Sequence, residues 1–336
     1  MRKQQKIRFL KRLVVLLAVL LLLFVISIHA GYTKMGTADV FRTLLGKGNA
    51  EEALILFDFR LVRIVLAMLV GAGLSVSGTI FQTISKNALA SPDLLGVSAG
   101  AGIAVLLYTF FVPEEMAVGV FALPFVSLAG ALLTAMLIYS LAHQKDRAIS
   151  PVRLVLIGIS VTSGINAAEI IFTVRLSPEK FQIVHTWMIG SVYGNTWSHV
   201  LALLPWLVVI IPFLIYRSRD LNLMRLSDGV AIGLGSPLKK SRFLYLMLAV
   251  ALAAACVSVG GAIGFVGLIC PHLARKLVGP NHQYCIPVSA VTGAVLLLGA
   301  DLVARTIIAP NEMLLGIVVS LIGAPYFLYI LLTSKS

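Results

Sequence analysis

Charge is what this sequence has least of. Only 12% of its residues are Asp, Glu, Lys or Arg, about half the ~25% of an ordinary soluble domain. With 59% of 336 residues hydrophobic, the apolar surface exceeds what one water-soluble core can hide. A soluble globular protein is excluded and a polytopic membrane protein remains. Acids are scarcer than bases, 14 against 27, which leaves a net charge of +13. Such a surplus can mark a nucleic-acid binder. Here the bases fall between the apolar runs, where cytoplasmic loops of membrane proteins collect Lys and Arg, so lipid rather than nucleic acid surrounds the chain. The three cysteines, Cys256, Cys270 and Cys285, lie in or beside apolar runs. They lack the spacing of a metal site or a disulfide and read as small apolar residues. Walker A, HExxH and GxSxG patterns are missing, and the six histidines are scattered. Cys270-Pro-His272 is the one close pair, and a lone Cys-x-His is far more often packing than a ligand. No catalytic residue, resident metal or cofactor is therefore expected.

What the sequence does have is a succession of apolar runs. Arg2, Lys3, Lys6, Arg8, Lys11 and Arg12 precede an uncharged run, Leu13 to Ile28. A cleaved signal peptide ending near Ala30 would look similar; because more spans follow, an uncleaved first helix with a cytoplasmic N-terminus is the reading adopted. Gly31 to Phe59 is polar and mixed, with a short surface helix over Thr37 to Leu45. Further spans are expected at 60–83, 94–112, 119–142, 151–174, 197–216, 243–263, a short eighth ending near 278, 284–307 and 313–332. Pro178 to Gly194 is amphipathic and too short to cross, and reads as interfacial or re-entrant with Trp187 at headgroup level. Turns are marked by Pro113-Glu-Glu and by the basic His143-Gln-Lys-Asp-Arg. Ten spans place both termini in the cytoplasm. This puts 19 of the 27 Lys and Arg inside and leaves Lys34, Arg42, Lys47, Arg60, Arg63, Arg175, Lys180 and Arg305 outside, the asymmetry the orientation requires.

The most unusual stretch is Gly260 to Arg275, between two long apolar runs. Gly260, Gly261, Gly264 and Gly267 leave bare backbone, which a second helix or a solute can approach closely. Pro271 removes a backbone donor and should kink or end the helix, with His272 and Arg275 at the membrane surface. Broken backbone at membrane depth is tolerated only against protein or a water-filled cavity, as in the wall of a transporter.

Polar groups within the spans are few: Gln82, Asn166, Glu169 and Asp301. Asp301 and Arg305 are four apart on one helix and can pair, more plausibly for structure than for transport chemistry. Arg60 and Arg63 share a face at the outer mouth, with Arg305 at the outer end of another span; snorkelling and a basic patch for an acidic extracellular partner both fit. In 217–242, Ser227 can cap a short helix that Gly233 or Gly235 ends. Leu221, Leu223, Met224, Leu226, Val230, Ile232 and Leu234 are too many apolar side chains for an idle linker. A loop packed on its own helices and a docking knob for a cytoplasmic protein stand level on composition.

These residues fall into long ordered blocks. They include Arg60-Leu-Val-Arg, Asn87-Ala-Leu-Ala-Ser-Pro-Asp-Leu-Leu-Gly, Gly264-Phe-Val-Gly-Leu-Ile-Cys-Pro-His-Leu-Ala-Arg, Gly299-Ala-Asp-Leu-Val-Ala-Arg and Gly323-Ala-Pro-Tyr-Phe. Over nearly its whole length the sequence resembles the iron-siderophore and cobalamin permeases of bacterial ABC importers, the FecCD type. The resemblance implies a single all-α domain with the ten-helix type II importer permease fold in the bacterial plasma membrane. It also implies a homo- or heterodimer of permease subunits, two cytoplasmic ATPase chains that hold ATP and Mg, and an extracytoplasmic siderophore-binding protein. Arg60, Arg63 and Arg305 match the family's outer arginines, which dock that binding protein. Leu223, Arg225, Leu226, Ser227, Asp228, Gly233, Leu234 and Gly235 match its ATPase-coupling segment. Gln82, Asn166 and the gate region Ser150, Pro151 and Val152 become path residues, and Gly264, Gly267, Pro271, His272, Arg275 and Asp301 structural ones. Three places depart from the family pattern: Ala88 and Ser91 in the first loop, the apolar Ile149-Ser-Pro-Val, and Asn281-His-Gln. The second argues against cobalamin as cargo. The function implied is import of a ferric siderophore by alternating access. Haem or cobalamin is the alternative cargo, and an ATP-independent secondary transporter the alternative class, which the lack of a charged relay through the spans disfavours.

Overall fold

The computed structural model describes residues 2–31, 35–112, 122–143, 150–308 and 310–333. The turn at 113–115, residues 119–121, most of the basic turn (144–147) and Ile149 lie outside them. Among the described residues every regular element is helical.

The long uncharged run after the basic start makes α1 (Arg2–His29), whose exposed apolar side chains include Val14, Val15, Leu21 and Leu22. A polar stretch follows with α2 (Thr37–Leu44), the expected surface helix. Asn49 then caps α3 (Ala50–Ala53): its side chain accepts from Glu52 N at 2.7 Å, and Glu52 Oε2 accepts from Asn49 N at 3.1 Å. This reciprocal cap satisfies two donors at once, so helix starts well before the expected residue 60. A π-helical stretch, Leu54–Leu61, carries it without a break into α4 (Val62–Ile84).

α4 is the hub, with nineteen of its 23 residues buried. Small residues at three- and four-residue spacing explain how. A Cβ on Gly71 would stand 2.3 Å from the Gly293 carbonyl oxygen, and one on Gly78 only 1.8 Å from that of Gly267. Backbones therefore touch at both crossings, the close approach that small residues permit in membranes. Hydroxyls fill the gaps: Ser75 and Ser289 are 2.6 Å apart, Thr79 and Ser289 2.9 Å, and Ser77 donates to Ala249 O at 2.6 Å.

A 3₁₀ turn (Pro92–Leu95) and the left-handed Gly96 (φ 62°) delay α5 to Val97–Phe111, three residues later than expected. Then come α6 (Ala122–Ala142), α7 (Pro151–Thr173), α8 (Pro178–Ile189), α9 (Trp197–Tyr216), α10 (Ser218–Met224) and α11 (Asp228–Gly233). α12 (Leu238–Gly260), α13 (Val266–Val278), α14 (His282–Thr306) and α15 (Leu315–Thr333) complete the chain. α12 starts five residues before the expected 243, because Pro237 fixes its entry and the basic first turn is helical. It ends at Gly260, because Gly261 (φ 72°) turns the chain against Trp187 O, 2.3 Å from where a Cβ would sit. Trp187 is half-buried and packs against the core. Pro271 does not end α13, which runs on to Val278.

Among the described residues seven helices, α1, α6, α7, α9, α12, α14 and α15, are long and apolar enough to cross a membrane, and the chain is a multi-pass membrane protein. α4 lies inside them. α5 with 15 residues and α13 with 13 reach roughly 20 Å at 1.5 Å per residue, short of a ~30 Å hydrocarbon core. α4 and α14 run antiparallel between the two ends of the bundle, so each brings functional residues to both.

Candidate functional site

The start of α4 and the end of α14 bring Arg60, Arg63 and Arg305 to one pocket of about 470 Å³, which Asp58, Tyr193, Asn195 and Glu312 also line. The sequence spreads these arginines over 246 positions; the Gly71–Gly293 crossing sets them side by side. They are not a flat surface patch. Each guanidinium is largely buried. Arg63 Nε donates to Asp301 Oδ1 and its NH1 to Glu312 Oε2, both at 2.6 Å. Arg305 Nε lies 3.3 Å from the other Asp301 oxygen, so the expected Asp301–Arg305 pair is real but is one arm of a three-helix network. Arg305 also donates to Ser27 O and Ala30 O, and Arg60 to Ile28 O, at 2.5 to 2.7 Å. These carbonyls are the orphan acceptors at the end of α1, so the arginines cap that helix and favour its negative dipole end. Asp301 is fully buried, whereas the Glu312 side chain is 39% exposed.

At the opposite end, 217–242 holds α10 and then the expected short helix, α11, which begins after Ser227 and ends at Gly233. Leu221, Met224 and Ala231 are buried, while Leu226, Val230, Ile232 and Leu234 are 40 to 61% exposed. α10 packs on its own bundle, and α11 presents an apolar ridge outward. Exposed apolar residues that cluster beside charges mark an interaction surface. Gly235 (φ 79°) turns the chain out of α11. Asp228, the first residue of α11, fixes its position. It accepts from Lys86 Nζ and Arg242 NH2 at 2.7 Å each, tying α11 to the loop after α4 and to α12. Partial burial raises its pKa, and the bonds from Arg242 and Lys86 more than offset this, holding the carboxyl below the ordinary carboxylate range. Arg225 NH1 donates to Pro280 O at 2.9 Å.

Sequence reasoning missed the connection inward from this end. Asn222 Oδ1 accepts from the His282 backbone N–H at 3.0 Å and meets its Nδ1 at 2.7 Å. His282 Nε2 meets the Thr83 hydroxyl at 2.7 Å. Thr83 donates to Thr79 O at 2.8 Å, and Thr79 meets Ser289. A polar column thus links α10 through α14 to the centre of α4. Lys86 and Asn222 were the residues to notice, as polar side chains flanking the apolar coupling stretch.

The expected path residues separate. Asn166 lies on an exposed face of α7 with Ser160, Ser163, Gly164 and Ala167, and Val152 is exposed at its start, after Ser150. Bare small and polar residues on a membrane helix fit a cavity or partner chain better than lipid. Gln82 does not join them: it is buried against α13, donating to Leu268 O at 3.1 Å and accepting from Arg275. Gly267 serves the α4 crossing, whereas a Cβ on Gly264 would meet nothing. Gly264 lines a groove with Met188, Ala262, Gly316, Ser320 and Ala324. His272 packs edge-on to Tyr326, with ring centroids 6.2 Å apart.

Among the described residues the chain is an all-helical, multi-pass bundle with a buried central helix, a charged pocket at one end and an exposed apolar ridge at the other, the architecture of a transport permease. A family model described as the FecCD transport family matches residues 19–333, and the chain belongs to that family. It is 45% identical over 332 residues to the iron(3+)-hydroxamate import system permease protein FhuG of Bacillus subtilis, covering 97% of this chain and 98% of that one. It is 35% identical over 312 residues to the Fe(3+) dicitrate transport system permease protein FecD of Escherichia coli, covering 92% and 94%. Among solved structures, a metal-chelate type ABC transporter in an inward-facing conformation superposes with a TM-score of 0.85 at 29% identity, covering 96% of this chain and 99% of that one.

Proposed function

We propose that this chain is the membrane-spanning permease subunit of an ATP-driven importer of ferric siderophores. The observation that carries the proposal is membership of the FecCD transport family along nearly the whole chain, with relatives named for iron(3+)-hydroxamate and Fe(3+) dicitrate import. In this reading the seven apolar helices together with α4, α5 and α13 make ten spans of one domain, and both termini face the cytoplasm. A second permease subunit, the same or related, completes the path along the bare face of α7. ATP and Mg belong to two separate ATPase chains, and this chain holds no cofactor of its own.

The arginine pocket receives the siderophore-loaded binding protein. A partner carboxylate can replace the half-exposed Glu312 on Arg63, while Asp301 stays in place and keeps the fold. Arg60→Gln, which keeps a donor for the Ile28 carbonyl but removes the charge, is expected to weaken binding-protein docking with the chain still present in the membrane; undiminished binding of the loaded protein would contradict this role. Arg63→Glu is less informative, because it sets a carboxylate against Asp301.

The ridge of α11 receives the ATPase, and the Asp228 clamp passes its movement to α4 and α12. Asp228→Asn is expected to cost no more than about 1 kcal/mol of stability, since the pair is partly exposed. Its effect on uptake per molecule of membrane-resident chain should be larger than its effect on abundance. Uptake should also stop when cellular ATP is removed with the membrane potential held; uptake driven by the potential alone would favour a secondary transporter.

A further inference from the structure

We infer that the α10–α11 end carries a binding site for a phosphate group, in the cavity between Arg225 and Arg275. The cavity measures about 240 Å³ and is lined by Gln82, Thr83, Lys86, Arg225, Arg275 and His282, among others. Three lining residues are cations, and no lining residue is a carboxylate. Asp228 stands on the Lys86 side, between Lys86 and Arg242. Arg275 donates to the neutral Gln82 Oε1, and Arg225 to the neutral Pro280 O. Neither arginine forms an ion pair with a carboxylate among the described residues. Each therefore keeps most of its five N–H donors for a guest. Two guanidiniums in one confined space repel one another. An oxyanion between them removes that cost and accepts their paired donors side by side. Both ring nitrogens of His282 are already engaged, one by Asn222 Oδ1 and the other by the Thr83 hydroxyl, so the guest is left to the arginines and Lys86.

The lining residues come from the end of α4 and its loop, the α10–α11 link, α13 and the start of α14. An occupant would join the coupling helices to the core and hold the link at Arg225 in place. The site stands whatever the cargo is. Phosphate chemistry has two sources, free inorganic phosphate and the headgroup of an anionic phospholipid.

The test uses the full purified chain. In detergent, thermal unfolding is followed against inorganic phosphate, with chloride at matched ionic strength as reference. In nanodiscs, phosphatidylcholine alone is compared with phosphatidylcholine plus phosphatidylglycerol. A saturable rise in unfolding temperature with phosphate identifies the free anion; a rise only with phosphatidylglycerol identifies the headgroup. In either case Arg225→Gln and Arg275→Gln should raise the half-saturating concentration by about tenfold, the loss of one charge-assisted hydrogen bond. Arg219→Gln, an exposed arginine outside the cavity, should leave it unchanged. If Arg275→Gln fails to fold through loss of its Gln82 contact, the exposed Arg225→Gln decides alone. No saturable stabilisation by either source, or equal stabilisation of the wild type and Arg225→Gln, overturns the site.

Discussion

Asp301→Ala is expected to remove most of the folded chain from the membrane. The carboxylate is fully buried and stands between Arg63 at 2.6 Å and Arg305 at 3.3 Å. Removing one member of a buried ion network leaves its partners charged and uncompensated, at a cost of about 3–5 kcal/mol. That is a large share of the ~5–15 kcal/mol by which proteins are stable. Arg63 keeps only the half-exposed Glu312, and Arg305 keeps the α1 carbonyls. Thermal unfolding in detergent and abundance in the membrane both report the loss. Adding Arg63→Met to Asp301→Ala should cost less than the two changes summed, because it removes one of the stranded charges. Strictly additive losses would show that the network contributes no coupling.

Gly78→Val is expected to be as damaging by a different route. A Cβ there falls 1.8 Å from Gly267 O and 2.6 Å from Gly267 Cα. The obstacle is backbone, so no rotamer change can relieve it, and α4 and α13 must separate. Overpacking that side chains can absorb costs about 1–3 kcal/mol; here separation would also break the bonds of Gln82 to α13 and the packing around Ser75 and Ser289. Gly264→Ala is the matched control, since its Cβ meets nothing and its backbone is unstrained. Normal accumulation of Gly78→Val would refute the backbone contact.

The sequence makes the scaffold legible where local chemistry is strong. Ser150-Pro starts α7 and Thr196 precedes α9, and both helices lie within a residue of where the apolar runs place them. The failures have local causes. The helix that leads into α4 is hidden among Glu51, Glu52 and Asp58, which read as loop; the Asn49–Glu52 cap is the signal that was there. The start of α12 is hidden by Lys239, Lys240 and Arg242, although Pro237 marks it. For the sites, sequence shows which residues are unusual but not what they meet. The glycines at 71 and 78 announce a close crossing, yet nothing in spacing says that Gly293 and Gly267 are the partners. Arg60 and Arg305 read as surface residues because their acceptors, the carbonyls of Ser27, Ile28 and Ala30, carry no side-chain signature, and the acceptors of Arg63, Asp301 and Glu312, lie 238 and 249 positions away. The Lys86–Asp228 clamp and the Asn222–His282–Thr83 column join residues 142, 60 and 199 positions apart; only the tertiary structure brings them together.

The central claim is that this chain admits a ferric siderophore, and uptake tests it most directly. Iron-starved cells with and without the chain are offered labelled iron as several chelates, alongside haem and cobalamin. One class of ferric chelate is expected to fail to enter cells that lack the chain, while haem and cobalamin uptake is unchanged. Unaltered uptake of every ferric chelate, with a fall in haem or cobalamin instead, would contradict it.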